Sequence, residues 1–429
     1  MIFVQDRCRA AMLAVAVCGL CSVTDVCASD WPQWRGPQRD GHAVSKVKLD
    51  ALPKDPKTLW SIPVGVGQSS PVIAGSRVLY LDDQNGQETA HSLDLASGKE
   101  QWCVSFSPSE VWGNAYGAGP RCTPVVDGDR VYVQSCRGEF RCLSLADGKT
   151  LWRTSFEKEW GASWFGNAGN NAPEAKETAA RRHGNNGSAV VEGESVFVPV
   201  GSPEKGTLVA FNKQTGKVLW TAGHDNAGYS SVLVATIGGV RQVVHLTADT
   251  LMGVDAKNGK ILWSTPVKTG AKRNVLTPIC AGDTVTISST SVALTKFKIT
   301  KEGGDFKVAP VWKNEKVKIT LATPVLVGNY LYGLGTGQKT DLVCVDFNTG
   351  DVKWSQPGFG DYASFIALED KVLVQNMTGT LLLMKASPEK YLELGRVQVC
   401  GNTWSYPAFA DGLLVQRDKT KLFAVELAK

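Results

Sequence analysis

Eight residues, Arg121, His183, Asn185, Asn186, Tyr229, Arg273, Asn274 and Trp404, stand just ahead of apolar strand-like runs and are unusually polar for that setting. Guanidinium groups grip carboxylates through paired N–H donors, and Trp or Tyr rings offer a stacking face, so the set suits an anionic or carbohydrate-like ligand. The same residues would also serve to line a wet channel and satisfy backbone groups, and spacing does not separate the two uses. His183 lies in RRHGNNGS beside Arg181 and Arg182 and is one of five histidines. Two nearby cations would lower its pKa, but no partner for a general base stands at a recognisable spacing, so loop anchoring or ligand contact is its expected role. Asp249, Asp361 and Glu369 are carboxylates that could approach the same place. A Ca2+ site needs six or more oxygens converging from distant segments, which spacing alone does not deliver.

Sharper signatures are missing. The chain has no CxxCH haem attachment, no HExxH zinc helix and no GxSxG nucleophile turn. Gly333-Leu334-Gly335-Thr336-Gly337 follows one strand pattern and leads to another, with no helix N-terminus to hold phosphate, so it reads as a turn. No catalytic residue and no metal ligand set is assigned. The formal charge of +5 is spread thinly, without the basic block of a nucleic-acid face, which excludes nucleic acid as the expected partner.

The elements that must position these residues show in a repeat. A Gly stands four residues before a Trp at Gly98/Trp102, Gly148/Trp152, Gly216/Trp220, Gly259/Trp263 and Gly350/Trp354. Trp60 and Trp312 fit the same terminal place without the Gly, and Leu394 takes the eighth. The anchors are separated by 42, 50, 68, 43, 49, 42 and 40 residues, the length of a four-stranded blade with a few insertions. Within a unit, as in TPVVDGDRVYVQSCRGEFRCLSLADGKTLW from Thr123 to Trp152, turn-formers separate short β-branched and aromatic runs, which is the pattern of an antiparallel meander. The repeated Gly supplies a positive φ in the last turn, and the Trp supplies a flat apolar surface between neighbouring blades; both are read as structural. After Leu394 the final unit stops one strand short, and KTLWSIPV around Trp60 can provide it. The expected fold is all-β, an eight-bladed propeller of four-stranded antiparallel blades closed by an N-terminal strand, which leaves no sheet edge open.

Residues 1–28 read as a signal peptide: Arg7 and Arg9 precede the apolar run Ala10 to Leu20, and Val26-Cys27-Ala28 fits a small-residue cleavage site. Residues 29–56 form an N-terminal extension and 57–429 the propeller. The chain is expected to be exported to the periplasm or beyond, monomeric, with no membrane span after the leader. Seven cysteines follow the leader, an odd number, and Cys136 with Cys142, flanking a hairpin turn, is the pair to test for a bridge.

The turn-Gly-Lys-x-x-Trp pattern resembles the pyrroloquinoline quinone (PQQ) repeat propellers of the quinoprotein alcohol dehydrogenase-like superfamily, over essentially the whole mature chain. DWPQWRGPQRDG, Asp30 to Gly41, is similar to the start of exported BamB-like propellers of planctomycete-type bacteria, and Ile237 to Trp263 is similar to their fourth blade. The resemblance implies a non-catalytic binding or scaffold propeller whose blade-joining loops meet an envelope protein, peptide or glycan. It implies as the alternative a quinoprotein oxidoreductase using PQQ with Ca2+ on an alcohol or sugar. The adjacent cysteines that contact the quinone in such dehydrogenases have no counterpart here. Fold does not decide between these functions.

Overall fold

Eight sheets of four antiparallel strands form in chain order, each meandering from an inner strand at the channel to an outer strand at the rim. The computed structural model describes residues 30–109, 119–162, 183–269, 272–336 and 340–428. The leader and Arg181 and Arg182 therefore lie outside the described residues. Blades 1 to 7 span 72–108, 125–155, 190–222, 233–266, 279–314, 325–356 and 363–398. Blade 8 joins three C-terminal strands, Ala408–Ala410, Leu413–Arg417 and Lys421–Glu426, to the N-terminal strand Lys57–Pro63 at its outer edge. The borrowed strand is registered with Trp60 opposite Ala424. No described helix is long and apolar enough to cross a membrane.

The middle strands bury both faces, as in Val131-Tyr132-Val133, because each blade is sandwiched between two others. Outer strands alternate, and their inward position is the repeated Trp. The glycines do sit at positive φ, between 70° and 81°, and a second constraint acts on them. A Cβ on Gly98, Gly148, Gly216, Gly259 or Gly350 would stand 2.6 to 2.8 Å from the indole of Trp60, Trp102, Trp152, Trp220 or Trp312, the anchor of the preceding blade. The same indoles donate Nε1–H to a carbonyl of the following blade, for example Trp152 to Lys213 at 3.0 Å and Trp60 to Leu95 at 2.8 Å. Each Gly is thus the socket for its neighbour's Trp. Gly216→Ala is expected to cost about 2 kcal/mol, from the left-handed backbone plus the clash, and urea unfolding of the variant checks it.

Two joints depart from the rule. Blade 5 ends in a long hairpin, Val292–Glu302 with Asp305–Asn314, which accounts for its 49-residue interval and offers no Gly socket. Trp263 accordingly turns over its own blade, where Gly253 leaves room, and donates to Gln242 Oε1 at 2.7 Å. In blade 7 Leu394 is not the Trp equivalent. It occupies the outward bulge, 39% exposed, that precedes the Trp in the other outer strands, and Gly395 pairs where the Trp would stand. Leu52 of the N-terminal extension packs over Gly395 instead.

At the joint of blades 6 and 7 the anchor is less enclosed than most of the others. Trp354 is only partly buried, whereas Trp60, Trp102, Trp152, Trp220 and Trp263 are buried. The reason lies in blade 7, where Tyr391 stands four residues before Gly395, in the place of the socket Gly. The bulky ring keeps the indole from sinking between the blades, and the two meet edge-on with centroids 5.9 Å apart. Trp354 still donates Nε1–H to the following blade, to the Ser387 carbonyl at 2.8 Å, so its role is structural though its enclosure is incomplete. Trp312 is also partly buried, at the end of the long hairpin of blade 5.

The extension also plugs the channel. Trp31 exchanges both backbone hydrogen bonds with Ile73 of blade 1, Pro32 accepts from Val126 of blade 2, and Gly41 and Ala43 bond Ala367 of blade 7. Arg39 donates to the carbonyls of Ala189 at 2.5 Å and Val232 at 2.7 Å, and Arg35 to that of Pro324 at 2.8 Å. Both arginines are buried and held at positive φ, 61° and 62°, so their side chains reach between inner strands at some backbone strain.

Candidate functional site

Just before or within the first residues of each inner strand one hydroxyl-bearing residue recurs: Ser70, Thr123, Ser188, Ser231, Thr277, Thr323, Ser364 and Tyr406. These residues lock the ring at its axis. Thr123 N donates to Ser188 Oγ, Ser188 N to Ser231 Oγ, Thr277 N to Thr323 Oγ1 and Tyr406 N to Ser70 Oγ, all at 3.0 to 3.1 Å and each between successive blades. Two residues upstream on each chain stand Gln68, Arg121, Asn186, Tyr229, Val275, Leu321, Tyr362 and Trp404. Those eight, with His183, Arg273 and the floor residue Trp34, line a cavity of about 190 Å³ at the mouth. The N-terminal extension supplies that floor, since Trp34 donates Nε1–H to Thr277 Oγ1 at 3.0 Å and stands edge-on to Tyr406.

Of the eight residues singled out in the sequence, six meet here: Arg121, His183, Asn186, Tyr229, Arg273 and Trp404. Asn185 and Asn274 fall on the opposite parity of the extended chain and face into the blades. Asn185 Nδ2 donates to the Cys136 carbonyl at 3.1 Å, and Asn274 Nδ2 to those of Thr247 and Ala248 at 2.8 and 3.1 Å. Trp34, Tyr362, Gln68 and the hydroxyl ring were not foreseen. The Ser-Pro and Thr-Pro pairs at 70–71, 123–124, 277–278 and 323–324 are the signal that marks the ring, repeating at blade intervals.

Aromatic and cationic groups divide the wall. Trp404 and Tyr362 stack with centroids 5.3 Å apart and 9° between planes. Across the cavity the Tyr229 hydroxyl accepts from His183 N at 3.0 Å, and Arg273 Nη1 lies 3.3 Å from His183 Nε2. Asn186 Oδ1 is buried with no hydrogen-bond partner among the described residues. No Asp or Glu is among the lining residues. Glu88 lies behind the wall, its carboxylate accepting from Cys136 N at 3.1 Å, and burial pushes its pKa up to about 8. It is therefore mostly neutral at pH 7 and does not cancel the positive charge of the wall.

The three carboxylates considered for calcium do not converge. Asp249 pairs with Lys272 at 3.4 Å on the rim, and Asp361 lines a neighbouring recess with Thr340 and Leu334. Glu369 sits in a turn on the far face, against residues 43–49, because the turns after the inner strands all project away from the mouth. Two guanidiniums and no carboxylate make a poor donor set for a hard dication, so the wall does not fit the quinone's Ca2+. Gly333 to Thr336 belong to the strand Tyr330–Thr336 rather than a turn. Gly333 and Gly335 are there because a Cβ would meet Pro324 at 2.6 Å and Val317 at 2.9 Å. The loop after blade 2 opens with a short helix, Phe156–Trp160, capped by Ser155. Cys136 and Cys142 are both buried and not bridged to each other, and the other five cysteines after the leader form no disulfide either.

Residues 86–356 match the family model for the outer membrane protein assembly factor BamB. The BamB of Xanthomonas campestris pv. campestris is 26% identical over 142 residues, a match spanning 33% of this chain and 30% of that protein, about a third of either. Among solved structures, BamB from Moraxella catarrhalis superposes with a TM-score of 0.56 at 12% identity, covering 86% of this chain and 97% of that one. A quinohemoprotein alcohol dehydrogenase from Pseudomonas putida HK5 gives 0.59 at 10% identity, covering 93% and 80%. At such identities the likeness of these two structures shows the fold alone. The family-model match spans well over half of the sequence, and by it this eight-bladed chain belongs to the PQQ-repeat propeller family of the outer membrane protein assembly factor BamB.

Proposed function

We propose that the protein is a non-catalytic scaffold of the cell envelope, exported by residues 1–28, whose mouth takes a carboxylate-bearing segment of a partner protein. The observation that carries this is the composition of the cavity wall, with Arg121, Arg273 and His183 on one side, stacked Trp404 and Tyr362 on the other, and no carboxylate among the lining residues. Arginine meets a carboxylate through two parallel donors, the ring pair gives an apolar platform, and the unpartnered Asn186 oxygen suits a peptide N–H. The name of the Xanthomonas relative, an assembly factor, agrees with a binding role.

Pull-down from the native envelope tests it. The Arg121→Ala/Arg273→Ala double variant is expected to recover a given partner at least about tenfold less than the parent, since a charged hydrogen bond contributes about 1.5 to 3 kcal/mol, while its melting temperature stays close to the parent's. Undiminished recovery would sink the reading. So would saturable binding of PQQ with Ca2+ accompanied by dye reduction on an alcohol or sugar, which would establish the oxidoreductase alternative.

A further inference from the structure

Blade 1 carries a group of ligating side chains far from the mouth cavity. His91 and Cys103 are cross-strand neighbours on the strands Gln87–Asp94 and Glu100–Pro108, and Glu100 follows two pairs further along, opposite Leu93. His91 Nδ1 lies 2.7 Å from Glu100 Oε1, and one donor atom from each of the three residues falls within 4.8 Å of the others. The bulge at Gln101 makes this possible, because it restores the parity that places Glu100 and Cys103 on the same face as His91.

The imidazole is held from behind. Its Nε2 lies 2.9 Å from Asp82 Oδ1, and Asp82 is fully buried. The other oxygen of Asp82 accepts from Gly65 N at 2.7 Å and Gln84 Nε2 at 2.9 Å, so the carboxylate cannot turn away. Tyr80 stacks on the ring at 4.6 Å, 9° from parallel. Asp82 thus holds a proton on Nε2 and aims Nδ1 outward, which is how a buried carboxylate orients a metal-bound histidine. Glu100 and Cys103 are exposed, and Cys103 is the exposed member of the seven described cysteines.

We propose that His91 Nδ1, Glu100 and the Cys103 thiolate bind Zn2+ at the surface of blade 1, with Asp82 as the positioning residue. Mixed nitrogen, oxygen and sulfur donors suit Zn2+ rather than Ca2+ or Mg2+, and three protein ligands at an exposed site leave the fourth position to water. Binding displaces the proton shared by Nδ1 and Glu100 and the thiol proton. Through Asp82 the metal is tied to the backbone at Gly65, in the segment between the borrowed strand and blade 1, so occupancy braces the ring at its closing joint.

Titration of the chelator-treated protein with Co2+, as a spectroscopic substitute, and with Zn2+ by calorimetry tests the site. One equivalent is expected, with a sulfur-to-cobalt charge-transfer band. Cys103→Ser should abolish the band, Glu100→Gln and Asp82→Asn should each weaken Zn2+ binding by about 10- to 100-fold, and Cys280→Ser should change neither. Cys103 and Glu100 are surface positions whose substitution leaves the fold intact, which thermal melts verify independently. Absence of stoichiometric binding, a band that survives Cys103→Ser, or unchanged affinity in Glu100→Gln overturns the proposal.

Discussion

Arg417→Met is expected to destabilise the protein by about 3 to 5 kcal/mol, the range for removing one partner of a buried charge network. Arg417 is wholly buried on blade 8, where it reaches into blade 1. Its Nη1 donates to the Leu81 carbonyl at 2.9 Å and its Nη2 to that of Gly65 at 2.8 Å, with the buried Asp82 carboxylate close by. Methionine restores most of the volume but leaves two carbonyls unsatisfied and removes a cation from the neighbourhood of Asp82. The loss should concentrate at the closing joint. Hydrogen exchange should therefore show protection falling first in Leu413–Arg417 and Arg77–Gln84. A loss below about 1 kcal/mol in urea unfolding would mean that the joint does not depend on this residue.

The second large effect is a pH dependence set by Glu88. Its carboxyl titrates near 4.5 when the chain is unfolded and at about 8 when folded, because burial penalises the anion. Between those values the native state holds a proton that the unfolded state has released, so stability is full below about pH 4.5 and falls as pH rises through 8. The total is on the order of 5 kcal/mol, since each tenfold change in proton affinity is worth about 1.36 kcal/mol. Glu88→Gln keeps an acceptor for Cys136 N and cannot ionise. The variant should match the parent at pH 5 and exceed it at pH 9. Parallel stability curves for the two proteins would rule this out.

What could be read in the sequence was whatever repeats at a fixed offset. Gly216 and Trp220 announce a blade because turn and anchor are local and periodic. Leu394 was misplaced because the eighth unit has no Trp to mark the inward position, which falls to Gly395. Trp354 carries the Gly-Lys-x-x-Trp signature save for Asp351 in place of the Lys, yet its enclosure depends on the next blade, where Tyr391 replaces the socket. The mouth was legible to the nearest residue or two and no better. Arg121 and Asn186 share the parity of the hydroxyl ring and face the cavity, while Asn185 and Asn274 are one step off and point into the blades. Trp34 was out of reach because its partner, Thr277, lies some 240 residues away, and no local pattern encodes that contact. The carboxylate at Glu369 was set on the wrong face for want of a rule that alternate turns of a meander project to opposite ends.

The borrowed strand gives the molecule a built-in test of completeness. Lys57–Pro63 precedes its pairing partner Lys421–Glu426 by roughly 360 residues, so the seam stays open until the last blade is present. The segment 30–43 must likewise wait for blade 7 before both of its ends are seated. A chain cut short anywhere in the last blade keeps two raw sheet edges, which its own topology leaves open to capture or degradation.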